Sequence, residues 1–290
     1  MGLMTDDTVH LAGRPVRRIG FGAMQLPGPG VFGPPADRDG ALAVLRHAVD
    51  AGVNHIDTAQ FYGPDVANEL IHSALHPYPD ELVIVSKVGA RRDEQAQWLP
   101  AQRPDELRAG VEANLRSLEL EPIPVVNLRR LPGSDVPFDE QLGAMQALHA
   151  EGLIGGTGLS NVTVEEYRVA RSRIDVACVQ NAYNLGSRRE PGLFEACDAD
   201  GVPFVPFFPL GSAFFADNPV LGADVVQDCA RRLEVTPAQV ALAWLLAQGE
   251  RVLLIPGTRS LDHLEENLAS AAVRLDEAAL ADLNALDTAL

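Results

Sequence analysis

From about residue 20 to the end, short apolar runs alternate with longer amphipathic ones, and no long linker interrupts them. Eight runs read as buried strands: Ile19–Ala23, Val53–Asp57, Leu82–Lys87, Pro124–Leu128, Ile154–Leu159, Val176–Gln180, Phe204–Phe208 and Val252–Ile255. Helical periodicity fills the intervals, over 38–51, 65–76, 104–119, 138–151, 163–172, 191–200, 222–248 (with a break), 261–271 and 276–288. Thr163 before Glu165 and Glu166, and Thr236 before Pro237, mark helix starts. Gly52, Gly152 and Gly201 mark helix ends. Eight strand–helix units predict a parallel (β/α)8 TIM barrel, one domain over residues 1–290. An open doubly wound sheet is the other architecture, but no GxGxxG follows an early strand. Ahead of the barrel, TVHLAGRPVRRIG turns at Ala12–Gly13 and predicts an N-terminal β-hairpin that plugs one end.

Charge narrows the partners. Lys and Arg total 23 against 40 Asp and Glu, a net charge of −17, which repels phosphate backbones and anionic lipid. Neither nucleic acid nor membrane is expected as a partner. The first 20 residues hold no signal-like apolar core, and Cys178, Cys197 and Cys229 lack paired or metal spacing, so a cytoplasmic protein is expected.

In a parallel barrel the chemistry sits where strands end. GVNHIDTAQFYG delivers Asp57, with Tyr62 on the loop beyond, and LVIVSKVG closes on Lys87. A lysine ending an apolar strand needs a counter-ion, which Asp57 supplies. A lysine cation beside a tyrosine stabilises the phenolate and eases proton transfer to a carbonyl oxygen. The same residues also fit a structural Asp–Lys pair with an unrelated surface tyrosine.

Five segments taken in order decide between these readings by resemblance. GVNHIDTAQFYG with VIVSKVG, then GLSN at 158–161, VQNAYN at 179–184, PFFPLG at 206–211 and IPGTRSLDHLEEN at 255–267, resemble the aldo-keto reductase family in order and spacing. The resemblance implies carbonyl reduction by hydride transfer from NADPH, with Asp57, Tyr62 and Lys87 catalytic and Tyr62 the proton donor. It implies that Ser160, Asn161 and Gln180 hold the nicotinamide carboxamide and that Tyr183 stacks on its ring. Gly22, Ala23 and Met24 at the end of strand 1, and Ile255 and Gly257 at the end of strand 8, join the cofactor site. Phe208, Pro209, Leu210 and Gly211 would follow the pyrophosphate. Thr258, Arg259 and Ser260, with His263, would meet the 2′-phosphate, and Glu266 and Asn267 the adenine. A cation at the amino end of a helix suits an anion in an acidic protein.

The pattern breaks at strand 4, where the family usually presents a His in a stretch like DLYQLHR. Here IPVVNLRRLPG places Arg129 at that position, or Arg130 if the alignment slips by one. An arginine cannot shuttle a proton; it stays charged and only donates hydrogen bonds. Arg129 is therefore expected to donate to the carbonyl oxygen or to an anionic group of the substrate; otherwise it pairs with an acid at the rim. GFGAMQLPGPGVFGPPADRD and VVNLRRL further resemble a bacterial subgroup that includes pyridoxal reductases, and pyridoxal carries a phenolic oxygen beside its aldehyde. His55, two residues before Asp57, reads as a core histidine or a site residue, and Trp98 as a rim aromatic or a packing residue. His47, His72, His76, His149 and His263 show no zinc spacing, and no metal is expected. Two other functions fit a barrel: an NADPH-binding regulatory or redox-sensing module, and a metal- or phosphate-dependent lyase or isomerase. A monomer or weak homo-oligomer is expected, acting on a small carbonyl substrate.

Overall fold

The structure, a computed structural model, describes residues 7–188, 190–211 and 219–286. Strands β1 (Thr8–Leu11) and β2 (Arg14–Arg17) pair antiparallel, with Ala12 (φ +46°) and Gly13 (φ +78°) forming the tight turn. This hairpin caps the amino-terminal end of a parallel barrel. Val9, Leu11 and Val16 bury their side chains against Val83, Val125, Val205 and Leu253 inside it.

Six barrel strands pair in the order β10-β9-β8-β5-β4-β3: Val176–Gln180, Thr157–Ser160, Val125–Arg129, Val83–Val88, His55–Asp57 and Phe21–Gly22. The ring closes through isolated bridges, Val179 to Phe204, Phe204 to Val252 and Ile19 to Leu254. The seventh and eighth predicted strands are thus present as single-residue bridges, and Ala23 leaves the first strand to begin a 3₁₀ turn.

The helices follow their predicted positions: α1 (Arg38–Asp50), α2 (Val66–Leu75), α3 (Pro104–Leu118), α4 (Phe138–Ala150), α5 (Val164–Arg171) and α6 (Leu193–Ala199). The long pattern over 222–248 breaks into α8 (Asp224–Leu233) and α9 (Pro237–Ala247), after a short α7 (Pro219–Gly222). Both α5 and α9 begin with capping boxes, from Thr163 with Glu166 and from Thr236 with Gln239. α10 (Leu261–Ala269) and α11 (Glu277–Asn284) finish the fold; residues 287–288 of the predicted last helix lie outside the described residues.

Two small ribbons were not expected. β6 (Ala90–Arg92) pairs with β7 (Trp98–Pro100), and β11 (Tyr183–Asn184) with β12 (Ser187–Arg188). Both sit in loops at the carboxyl ends of barrel strands, where they add walls to the mouth.

Strand alternation sorts the barrel side chains into two sets. Ile56, Ile84, Val88, Val126, Leu128 and Leu159 join the clusters packed between sheet and helices. Val83, Val85, Val125, Cys178, Val205, Leu253 and Ile255 point the other way and fill the interior. The charged residues of the inward set, Asp57, Lys87 and Arg129, fall at the carboxyl ends above this apolar fill, while His55 and Asn127 lie within it.

Candidate active site

The inward parity that places Val83 and Val85 in the interior also places Lys87 there, and His55 brings Asp57 with it. Lys87 is 2% exposed and Asp57 3%. Lys87 Nζ donates to Asp57 Oδ1 at 2.5 Å and to the Thr58 carbonyl at 3.0 Å. Burial by itself opposes the ammonium charge, but the Asp57 carboxylate and the Tyr62 oxygen outweigh it, so the Lys87 pKa is raised. Asp57 Oδ2 accepts from Gln180 Nε2 at 2.7 Å, leaving Gln180 Oε1 buried without a hydrogen bond. Tyr62 is buried, not a surface residue, and Lys87 Nζ lies 5.0 Å from its ring centre.

These groups open into a cleft of about 400 Å³ whose lining includes Asp57, Tyr62, Arg129 and Gln180. Phe61, Trp98, Phe207 and Leu131 supply aromatic and apolar walls. Gly22 and Gly257 form part of its floor, where strands 1 and 8 touch backbone to backbone. A Cβ on Gly22 would meet the Ile255 carbonyl at 2.4 Å, and one on Gly257 the Gly22 carbonyl at 2.4 Å. Trp98 is held over Phe61 (5.7 Å between ring centres) and beneath the Arg92 guanidinium (4.2 Å). Arg92 also donates to the carbonyls of Val31 and Gly30, tying the β6–β7 ribbon to the 27–35 loop.

Arg129, at the inward-facing end of β8, lines the cleft, whereas Arg130 pairs with Glu166 (Nε–Oε1, 3.0 Å) and donates to Gln102. Among the described residues Arg129 makes no ion pair. Its Nη1 donates to Ser160 Oγ at 3.2 Å, and its guanidinium lies 5.3 Å from the Phe207 ring centre. Burial pushes the Arg129 pKa down, countered by Tyr62 and Asp57, and a guanidinium remains cationic through such a shift.

The expected cofactor residues divide. Gly22, Met24, Gln180, Phe208, Pro209, Leu210, Gly211, Ile255 and Gly257 line the cleft; Ala23 is buried beside it in the chain. Ser160 is buried behind Arg129, and Asn161 (φ +60°) is engaged by the Arg130 carbonyl, which accepts from its Nδ2 at 2.9 Å. Tyr183 does not line the cleft. Its ring stacks parallel to Trp244 at 5.9 Å and packs on Phe194 and Phe204. Phe207, at the inward position of PFFPLG, presents a ring to the cleft instead; the alternation with Val205 was the signal for it. Leu221, from α7, also lines the wall and carried no such signal.

Beyond Gly257 the chain enters α10. Ser260 caps it by accepting from the His263 amide (3.3 Å), and Thr258 Oγ1 accepts from the Ser260 amide (3.0 Å). Arg259 and His263 are exposed at this helix start, and Arg259 makes no ion pair among the described residues. Glu266 accepts from Thr236 Oγ1, and Asn267 is buried.

The cysteines are free and buried, and burial pushes Cys178 and Cys197 up to about 12. His55 is buried in the layer beneath Asp57, and its Nδ1 makes no hydrogen bond. Against the expectation of no metal spacing, the fold brings His72, His76 and Glu119 together.

An inward lysine–aspartate pair, a buried tyrosine and an aromatic cleft at the barrel mouth define a site for proton transfer to a bound carbonyl compound. Residues 18–288 match the model of the aldo/keto reductase family, and the chain belongs to that family. It is 46% identical to the pyridoxine 4-dehydrogenase of Escherichia coli over 98% of this chain and 99% of that one. An aldo/keto reductase from Klebsiella pneumoniae in complex with NADP and acetate superposes with a TM-score of 0.81 at 28% identity. The alignment covers 98% of this chain and 96% of that one. A second Klebsiella pneumoniae structure, in complex with NADPH, gives 0.80 at 29% identity over the same shares. Among the described residues no helix is long and apolar enough to cross a membrane.

Proposed function

We propose that this chain is an NADPH-dependent reductase of aldehydes, and that pyridoxal, or an aromatic aldehyde with an ionised oxygen beside the carbonyl, is its substrate. Family membership supports the reaction class, the NADP- and NADPH-bound relatives support the cofactor, and the pyridoxine 4-dehydrogenase relative supports the substrate. The observation that carries the reading is one cleft holding Tyr62 against the Lys87–Asp57 pair, with Arg129 lacking an ionic partner among the described residues.

NADPH fits the residues present. Gln180 Oε1 is a buried acceptor awaiting a donor such as a carboxamide, and the Phe208–Gly211 and Ile255–Gly257 backbones line one continuous wall. Arg259 and Ser260 at the start of α10 offer charge and hydrogen bonds to a 2′-phosphate. When bound, NADPH supplies the hydride that ends on the carbonyl carbon.

The chain's own groups do the rest. Tyr62 donates its hydroxyl proton to the carbonyl oxygen, so aldehyde becomes alcohol and tyrosine becomes phenolate. The Lys87 ammonium stabilises that phenolate, and Asp57 holds the ammonium in place while accepting from Gln180. Arg129 donates to an anionic substrate oxygen, and Phe61, Trp98 and Phe207 sandwich an aromatic ring. Every one of these groups comes from a single chain, which suits a monomer, and the free thiols suit a reducing cytoplasm.

NADPH binding followed by fluorescence, then NADPH oxidation with pyridoxal and other aldehydes, tests the reading. Turnover that disappears in Tyr62→Phe while NADPH still binds supports it. Tight NADPH binding without turnover on any aldehyde would replace it with a regulatory barrel.

A further inference from the structure

At the end of the barrel opposite the cleft, two helix carboxyl termini converge. The last turn of α2 carries His72, and its C-cap residue is His76, four positions on and so on the same face. The C-cap residue of the neighbouring α3 is Glu119, with a left-handed backbone (φ +48°). One nitrogen from each imidazole and one carboxylate oxygen lie within 4.8 Å of one another.

Three details describe this cluster. His72 Nε2 lies 3.4 Å from Glu119 Oε2, yet that buried nitrogen makes no hydrogen bond. The two rings stack at 4.7 Å with 26° between planes, so their in-plane lone pairs run nearly parallel and one ring must turn for both to share an ion. Tyr78 braces His76 edge-on at 5.4 Å, while its hydroxyl donates to the carbonyl of Leu118, the residue before Glu119, at 2.7 Å. The electrostatics favour a cation: both helices present their carbonyl ends, and the chain carries −17 overall.

We propose that His72, His76 and Glu119 form a binding site for a divalent transition metal, with zinc as the fitting ion and water as the fourth ligand. Two imidazoles and a carboxylate are a zinc donor set, and hard ions such as magnesium or calcium prefer all-oxygen shells. Tetrahedral zinc holds such donors about 3.4 Å apart, so they close by roughly 1.5 Å at most. The exposed side chains of His76 and Glu119 supply that movement by rotation. Bound metal would join the ends of α2 and α3 and stabilise the barrel without reaching the cleft.

Tag-free protein, freed of metal by chelator and dialysis, is titrated with zinc chloride against a chromophoric competitor, and its melting temperature is followed. One equivalent should bind with micromolar affinity or tighter and raise Tm by about 2–5 °C. His76→Gln and Glu119→Gln should each weaken binding roughly tenfold or more and remove the Tm rise. Magnesium and calcium should not compete. Absence of stoichiometric zinc binding by the wild type, or binding undiminished in both variants, overturns the proposal.

Discussion

Arg129 and Arg130 are consecutive in sequence and face opposite environments: Arg129 enters the cleft with no ionic partner among the described residues, while Arg130 pairs with Glu166 at 3.0 Å. A buried guanidinium without a carboxylate is costly unless a ligand supplies the anion. Arg129→Met should therefore lower kcat/KM for pyridoxal by roughly 100-fold, about 3 kcal/mol of transition-state binding. Aldehydes with no ionisable oxygen should lose much less. Arg130→Met should leave kcat/KM within a few-fold and cost stability instead, on the order of 1 kcal/mol. Steady-state kinetics on paired aldehydes, with and without the ring oxygen, check this; equal losses on both would sink the anion-pairing role.

Asp57 carries two loads, accepting from Lys87 at 2.5 Å and from Gln180 at 2.7 Å. Asp57→Asn keeps the shape but leaves the Lys87 ammonium buried beside a neutral amide. Removing one partner of a buried pair typically destabilises by about 3–5 kcal/mol. Urea unfolding of Asp57→Asn should show that loss, and turnover should fall as well. A variant as stable as the wild type would mean that water already screens Lys87.

Much of this was legible before the fold was known, and the reason is parity. Once LVIVSKVG is read as a strand, the positions of Val83 and Val85 decide that Lys87 points inward, and the same rule separates Arg129 from Arg130. The same alternation, carried from Val205 through PFFPLG, puts Phe207 in the cleft, while Tyr183 lies beyond the strand end in VQNAYN, where parity with the strand no longer holds. The β6–β7 ribbon escaped because ARR and WLP carry neither alternation nor β-branched residues, and Asp93 and Gln97 make its turn through local hydrogen bonds. The His72–His76–Glu119 cluster escaped for a different cause. Its third member lies 43 residues beyond the second and meets it only because α2 and α3 pack side by side.

Arg259 stands exposed at the start of α10, with the Ser260 cap beside it and no ion pair among the described residues. A 2′-phosphate there would gain both the guanidinium and the helix terminus. Arg259→Ala should weaken NADPH binding by about 10- to 100-fold and leave NADH binding nearly unchanged. The wild-type preference should also shrink as salt rises, since the contact is at the surface. Parallel titrations of both nucleotides at two salt concentrations check it; an equal loss for both would place the 2′-phosphate elsewhere.

His55 lies fully inside the barrel beneath Asp57, and burial, with Lys87 adding to it and Asp57 opposing, lowers its pKa to about 4. The unfolded chain takes up that proton near the ordinary histidine value of about 6.5. Between these values the unfolded state binds more protons than the folded one, so stability rises with pH across the window and is lost as pH falls through it. Above about 6.5 both states are neutral at this position and the contribution is constant. At pH 4.5 the loss should reach roughly 2–3 kcal/mol relative to pH 7.5. His55→Gln cannot titrate, so its stability should fall by that much less than the wild type's over the same interval. Urea unfolding of both proteins at the two pH values measures the difference. Parallel losses would show that His55 is already protonated in the fold, paired with Asp57, and that the acid sensitivity arises elsewhere.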